Sequence, residues 1–371
     1  MSNGTLIIGG GVVGLGIGWK LLQRGEAVTL LERGDAGREA SWAAAGLLAP
    51  ATEVHYQEDR NLKLGLESIR LYGEFIAELE GFTGQTVDYQ TEGAISVALS
   101  ADEAADLKGL FEYQRERGLP VRWLTPEAAR ELEPGLSGFL TAAVQCDMDH
   151  QIDSRRLVAA LREAFVKAGG TLHENTPVTE VQIRDGVYTG VRSGEREFKS
   201  RRLLIAAGSW SGLLPGLPEN VRPPVRPVKG QLFSVRSPGR EFLSHFIRAP
   251  HVYIAPKSNG RIVIGATVEE MGFNRDITAG GLYTLLRSSW EALPGIYELP
   301  IEEMWCGFRP GSRDNSPILG ESRVPGVFLA TGHHRNGILF TPATAVYMSQ
   351  LLLDGRVPEP IQPFSPRRFD A

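Results

Sequence analysis

A chain of 371 residues is longer than one ordinary hydrophobic core sustains, and fits two domains sharing an interface. With 42% apolar and 22% charged residues it belongs among globular proteins and not among disordered chains. A net charge of −5 without a long basic run argues against nucleic acid or an anionic membrane as partner. Cys146 and Cys306, far apart, argue against a disulfide framework or a thiolate metal site and suit a reducing cytoplasm.

The chain opens on Thr5-Leu-Ile-Ile8, an apolar run without alternation that reads as a strand buried on both faces. Gly9-Gly-Gly-Val-Val-Gly14 follows, and Leu15, Trp19 and Leu22 recur at helical spacing until Gly25. A second apolar run, Ala27–Leu31, ends on Glu32 and Arg33. Glycines so spaced between strand and helix, with an acid about 20 residues on at the next strand's tip, form a dinucleotide-binding pattern. Gly9 permits the tight turn, Gly11 lets the backbone at Val12 and Val13 approach a pyrophosphate, and Gly14 lets helix and strand close up. The helix N-terminus offers partial positive charge to phosphates, and Glu32 can accept from a ribose diol. Residues 5–18 are apolar, but no Lys or Arg precedes them, so no secretory leader is expected. No apolar stretch is long enough to span a membrane.

The next segment holds Ser41-Trp-Ala-Ala-Ala-Gly-Leu47, small enough for a flat ring to lie against backbone; tight helix packing is an equal reading. Residues 61–80 predict one long amphipathic helix, and Gly93–Leu99 a strand. Ser100-Ala-Asp-Glu103 is a capping box, and Thr125-Pro126-Glu127 caps a helix that ends before Pro134. Residues 152–181 predict a helix from about Ser154 closed by Gly169-Gly170, a strand at Thr171, and another strand from Pro177. Arg202–Trp210 is a buried strand running into Ala206-Ala207-Gly208, small residues where open α/β sheets meet ligands. From 224 to 300 the pattern turns to antiparallel strands and a helix bearing Leu282, Leu285 and Leu286. The strand Val327–Ala330, the loop Thr331–Gly337 and a helix from Pro342 to Gly355 close the chain. The fold class expected is α/β. A Rossmann-like domain (1–83, 141–223 and 301–371) interleaves with an α+β substrate domain built on a mostly antiparallel sheet (84–140 and 224–300).

Several stretches taken together resemble one family. They are Gly9–Gly14 with Glu32, Ala43–Pro50, Leu203–Trp210, Val252–Pro256, Gly265-Ala-Thr267, Trp305–Gly311 and Thr331–Gly337. Over nearly the whole length the chain is similar to the D-amino-acid oxidase group of FAD-dependent amine oxidoreductases, nearest its bacterial glycine-oxidase branch linked to thiamine biosynthesis. The resemblance implies non-covalent FAD in the Rossmann-like domain. Glu32 would hold the adenosine ribose and the main chain at Val178 the adenine, with Arg33 also binding the cofactor. Ser41, Ala44, Ala45, Gly46 and Leu47 would line the flavin ring, with Ala207, Gly208 and Trp210 beside the cofactor. His334, Arg335, Asn336, Gly337, Ile338 and Leu339 would face its pyrimidine end, where a Gly-bounded loop entering a helix aims N–H groups and a positive dipole.

Arg309 falls where this family pairs an arginine with the substrate carboxylate, and a guanidinium suits that task because it is a planar two-pronged donor. Pairing with Asp314 at the surface is its ordinary alternative. Tyr253 matches the hydroxyl supporting the same carboxylate; without the resemblance it is a sheet aromatic. Arg309, Tyr253 and Arg335 are the expected catalytic residues. His251 and Val268 are expected to edge the substrate pocket. His333-His334 have no third ligand at metal spacing, so no metal is expected.

The activity implied is oxidative deamination of glycine, sarcosine or small D-amino acids by oxygen. The products are the 2-oxo acid, ammonia or an amine, and hydrogen peroxide, with iminoglycine available to thiazole synthesis. A cytoplasmic homotetramer is the expected form. The alternatives are an N-methyl amino acid oxidase of sarcosine-oxidase type, with Cys306 near the place of covalent flavin, and a D-amino-acid dehydrogenase feeding a quinone. A plain NAD-binding scaffold would share only the first 32 residues. Leu47 and Val268 stand where glycine oxidases often carry methionine, which leaves the preferred amine open.

Overall fold

The computed structural model describes residues 4–56, 58–237, 239 and 242–369. The outer ends of the domain division, residues 1 and 371, lie outside the described residues. A six-stranded sheet runs in the order Ile318–Glu321, Val327–Thr331, Arg202–Ile205, Thr5–Ile8, Val28–Leu31, Thr171–His173. All neighbours are parallel except the Ile318–Glu321 edge. The absence of apolar alternation in Thr5–Ile8 now has its cause. Ile7 joins one core with the helices Val12–Gln23, Asp59–Thr83, Ser154–Lys167 and Thr341–Asp354, while Leu6 and Ile8 join another on the opposite face.

The second large sheet has eight strands, in the order Ile301–Ser312, Val225–Arg236, Arg261–Gly265, Val252–Pro256, Phe246–Ala249, Ala94–Ala98, Ala142–Cys146, Val121–Leu124. It is antiparallel apart from the pairing of Phe246–Ala249 with Ala94–Ala98. The helix Ala279–Ala292 covers it through Leu285 and Ala292. Its cap is Thr278, whose hydroxyl accepts from Gly281 N, and the capping box at Ser100 accepts from Glu103 N.

Two strands stand on the other side of the division expected from sequence. Ile301–Ser312 pairs along its length with Val225–Arg236, and Ala142–Cys146 lies between Ala94–Ala98 and Val121–Leu124. Both are therefore strands of the eight-stranded sheet, because ladder hydrogen bonds and not chain order decide membership. The strand expected from Pro177 starts at Glu180. Proline has no N–H for the ladder, and Val178 lines the cavity described next.

Candidate active site

A cavity of about 580 Å³ runs from the carboxyl ends of Thr5–Ile8 and Val28–Leu31 to the face of the eight-stranded sheet. Its size is that of a small-molecule or cofactor site. At one end, Gly9 has φ +111°, and a Cβ there would lie 2.4 Å from Ala206 O. Gly14 is beneath the lining; a Cβ on it would meet Gly9 O at 2.0 Å, so the helix can sit close only without one. Gly11, Val12 and Val13 line the cavity at the helix N-terminus, where no side chain of the capping residue intervenes. The Glu32 carboxylate is held by Gly10 N at 2.8 Å and Gly34 N at 3.1 Å. Arg33 lies 3.6 Å over the ring of Trp210 and pairs with Glu39. Phe273 stacks on the same indole with centroids 4.7 Å apart.

The middle of the cavity is walled by Ala44, Ala45, Gly46 and Leu47, with Ser41, Val178, Ala207 and Gly208 also in the lining. Ser154 Oγ donates to Ala44 O and Ile152 N to Gly46 O. Leu47–Leu48 makes a two-stranded ladder with His150–Gln151. Gly46 has φ +81°, and a Cβ there would lie 1.9 Å from Ile152 O. A wall of small residues, a helix N-terminus and a fixed carboxylate fit the ring, pyrophosphate and ribose of FAD. His334, whose Nδ1 is buried without a hydrogen-bond partner, is also among the lining residues.

His334 to Asn336 form a short 3-10 turn at the far end. Burial, helped by the Arg335 and Arg309 charges, pulls the His334 imidazole down to about 3, so it is neutral at working pH. Gly337 and Ile338 line the cavity with Arg335, whereas Asn336 and Leu339 turn into the core. His333 is buried and shares a hydrogen bond with Thr344 Oγ1. Among the described residues no three His, Cys, Asp or Glu side chains gather as a metal site.

Arg309 and Tyr253 converge at this end, beside His251 and Val268. Arg309 NH1 donates to Thr267 O at 3.0 Å, and among the described residues its guanidinium has no carboxylate partner. Asp314 is taken by Arg60 and Arg368, so it is not Arg309's partner. Burial pushes the Tyr253 hydroxyl up to about 12 despite the Arg309 charge, which keeps it a donor. The neighbouring cations are matched: Arg248 by Glu53 at 2.9 Å and Arg335 by Glu58. Val268 is 72% exposed at the rim. Cys306 lies outside the lining, its Sγ 3.3 Å from Arg275 O.

Sequence reasoning missed Gly230, and named Gly265 only as part of the Gly265-Ala-Thr267 stretch and not as a site residue. A Cβ on Gly230 would lie 2.6 Å from the Arg309 guanidinium, and one on Gly265 would lie 2.9 Å from the Tyr253 hydroxyl. Glycine inside a strand was the available clue, because it often marks close approach of another group. Glu53 and Arg248 were also missed, being an unremarkable acid and arginine until folding pairs them.

The profile of the FAD dependent oxidoreductase family (DAO) matches residues 5–351. The glycine oxidase of Geobacillus kaustophilus is 34% identical over 361 residues, 97% of this chain and 95% of that protein. Its crystal structure superposes with a TM-score of 0.91 over 97% of both chains. The glycine oxidase structure from Bacillus cereus gives a TM-score of 0.89 at 32% identity, over 96% of each chain. The bifunctional protein ThiO/ThiG of Synechocystis is 36% identical over 99% of this chain, which spans about half (54%) of that relative's length.

Proposed function

The chain belongs to the FAD dependent oxidoreductase (DAO) family, and on that premise we propose that it oxidises glycine and other small amino acids, such as sarcosine and small D-amino acids. The reading rests most on one observation: Arg309, a guanidinium without a carboxylate partner among the described residues, meets the Tyr253 hydroxyl beside the small-residue wall. Overall, amino acid, oxygen and water give the 2-oxo acid, ammonia or an amine, and hydrogen peroxide. FAD, held by Gly9, Gly11, Glu32, Ala44–Leu47 and Gly337–Ile338, supplies the two-electron acceptor.

The remaining chemistry belongs to the protein. Arg309 offers two parallel N–H donors to the substrate carboxylate, and Tyr253, whose hydroxyl burial keeps protonated, adds a third. Together they fix the α-carbon, so the protein contributes orientation to the step. Glu53 and Glu58 neutralise Arg248 and Arg335, leaving Arg309 as the cation that selects one carboxylate. His334 stays neutral and does not compete for it. In this reading the enzyme works in the cytoplasm as a homo-oligomer, and its imine product feeds thiamine thiazole synthesis. Exposed Tyr283, Trp290 and Tyr297 support an oligomer contact.

A peroxide-release assay across glycine, sarcosine, D-alanine and D-proline tests the proposal. Turnover of glycine with one peroxide per amino acid is expected; no peroxide from any of the four overturns it.

A further inference from the structure

Lys257 is 3% exposed, a rare place for an ammonium, and it does not line the cavity. Its Nζ donates to Ile152 O at 2.9 Å and to Gln151 Oε1 at 3.2 Å. Asp153 and Asp88 lie close enough to act on its charge, and Arg261, which pairs with Asp153 at 3.0 Å, opposes them. Burying an ammonium carries a desolvation cost that only well-placed partners offset, so the groups it bonds are specific ones.

What it holds is one peptide group behind the ring-lining wall. Ile152 O, the acceptor for Lys257, is the atom against which Gly46 packs, since a Cβ on Gly46 would lie 1.9 Å from it. Ile152 N donates to Gly46 O at 2.9 Å, and Gln151 pairs with Leu47. Both neighbours of the ammonium thus belong to the segment that is hydrogen-bonded to Gly46 and paired with Leu47. Lys257 itself follows directly on the strand Val252–Pro256, which bears Tyr253. One short stretch of backbone therefore carries the substrate hydroxyl at one end and a buried clamp on the cofactor wall at the other.

We infer that Lys257 is a positioning residue for the redox step: it sets the wall Ala44–Leu47, and with it the cofactor ring, at a fixed offset from Tyr253 and Arg309. The inference rests on the proposed function. Methionine at 257 fills similar space but leaves Ile152 O and Gln151 Oε1 without their donor, so the wall relaxes while Arg309 and Tyr253 stay in place.

The test uses FAD-loaded protein, wild type, Lys257→Met and Lys257→Gln. It reads the visible spectrum, the FAD dissociation constant, the rate of anaerobic bleaching by glycine and the dissociation constant of acetate as a carboxylate probe. Lys257→Met should shift the visible bands, weaken FAD and slow bleaching by about tenfold or more, with acetate affinity within about twofold. Lys257→Gln, which can still donate to Ile152 O, should recover part of the loss and carries the same test if the methionine variant does not fold. Spectrum, FAD affinity and bleaching rate all within about twofold of wild type would overturn the inference. So would a loss of acetate binding equal to the loss of rate, which marks general disruption. If glycine fails to bleach even the wild type, the proposed substrate is wrong, and the spectrum and FAD affinity still decide the role of Lys257.

Discussion

Replacing Arg309 with alanine removes the cation to which the proposed function assigns the substrate carboxylate. The guanidinium is part-buried, bonded to Thr267 O and free of any carboxylate among the described residues, so its charge is available to the substrate. Truncating one partner of a hydrogen-bonded charge pair in such a setting costs about 2–5 kcal/mol. At about 1.4 kcal/mol per decade, KM for glycine should rise by roughly 30-fold to several thousand-fold. Arg309→Lys keeps the charge but loses the two-pronged donor, and should fall between wild type and alanine. Steady-state peroxide release over a wide glycine range reads both constants, and acetate inhibition reads the carboxylate grip alone. An Arg309→Ala enzyme with unchanged KM and unchanged acetate affinity would refute the assignment.

Four further outcomes follow from the same geometry. Gly230→Ala places a methyl 2.6 Å from the Arg309 guanidinium, so KM for glycine should rise by about tenfold or more with the arginine still present; an unaltered KM would show the site adapts. Phe273→Ala removes the ring stacked on Trp210 and should weaken FAD retention in equilibrium dialysis, by about 0.5–1.5 kcal/mol if only the stack is lost. Acid precipitation should leave the yellow cofactor in the supernatant, since Cys306 faces Arg275 O and not the cavity; colour in the pellet would contradict this. Asp149 is buried, and burial lifts its carboxyl to about 6 against the bonds from Thr52 and Ala51. Between that value and the ordinary 3.8 the folded state binds the extra proton, so this group's contribution to stability rises as pH falls from about 6 to about 4. Denaturant unfolding should show wild type gaining on Asp149→Asn across that window, by on the order of 3 kcal/mol at most; a gap that narrows instead would contradict the sign.

Much of this molecule is legible in the chain because its local signals agree with one another. Gly9, Gly11, Gly14 and Glu32 act through backbone geometry that any observer can read from spacing, and the structure puts Gly9, Gly11 and Glu32 in the cavity lining and Gly14 just beneath it. The small-residue run at Ala43–Leu47 is ambiguous alone, and in the folded chain all five residues line the cavity. The domain edges at 141 and 301 were not legible, because a strand does not announce which sheet it will join. Asn336 and Leu339 share a loop with lining residues but are buried away from the cavity, and for Leu339 this depends on packing in the core and on distant Ser68, which donates to its carbonyl. Lys257 carried no sequence mark at all. Its burial is a tertiary fact, created when the end of the strand Val252–Pro256 meets the backbone at Ile152.

The central claim is that the cavity seats FAD beside a bound glycine. The visible absorption spectrum of the protein reconstituted with FAD, recorded before and after anaerobic addition of glycine, tests it most directly. Flavin bands that stay with the protein through gel filtration and bleach on adding glycine are the expected result. A protein that remains colourless after incubation with FAD, or one whose bound flavin is untouched by glycine and by the other three amines, would contradict the account.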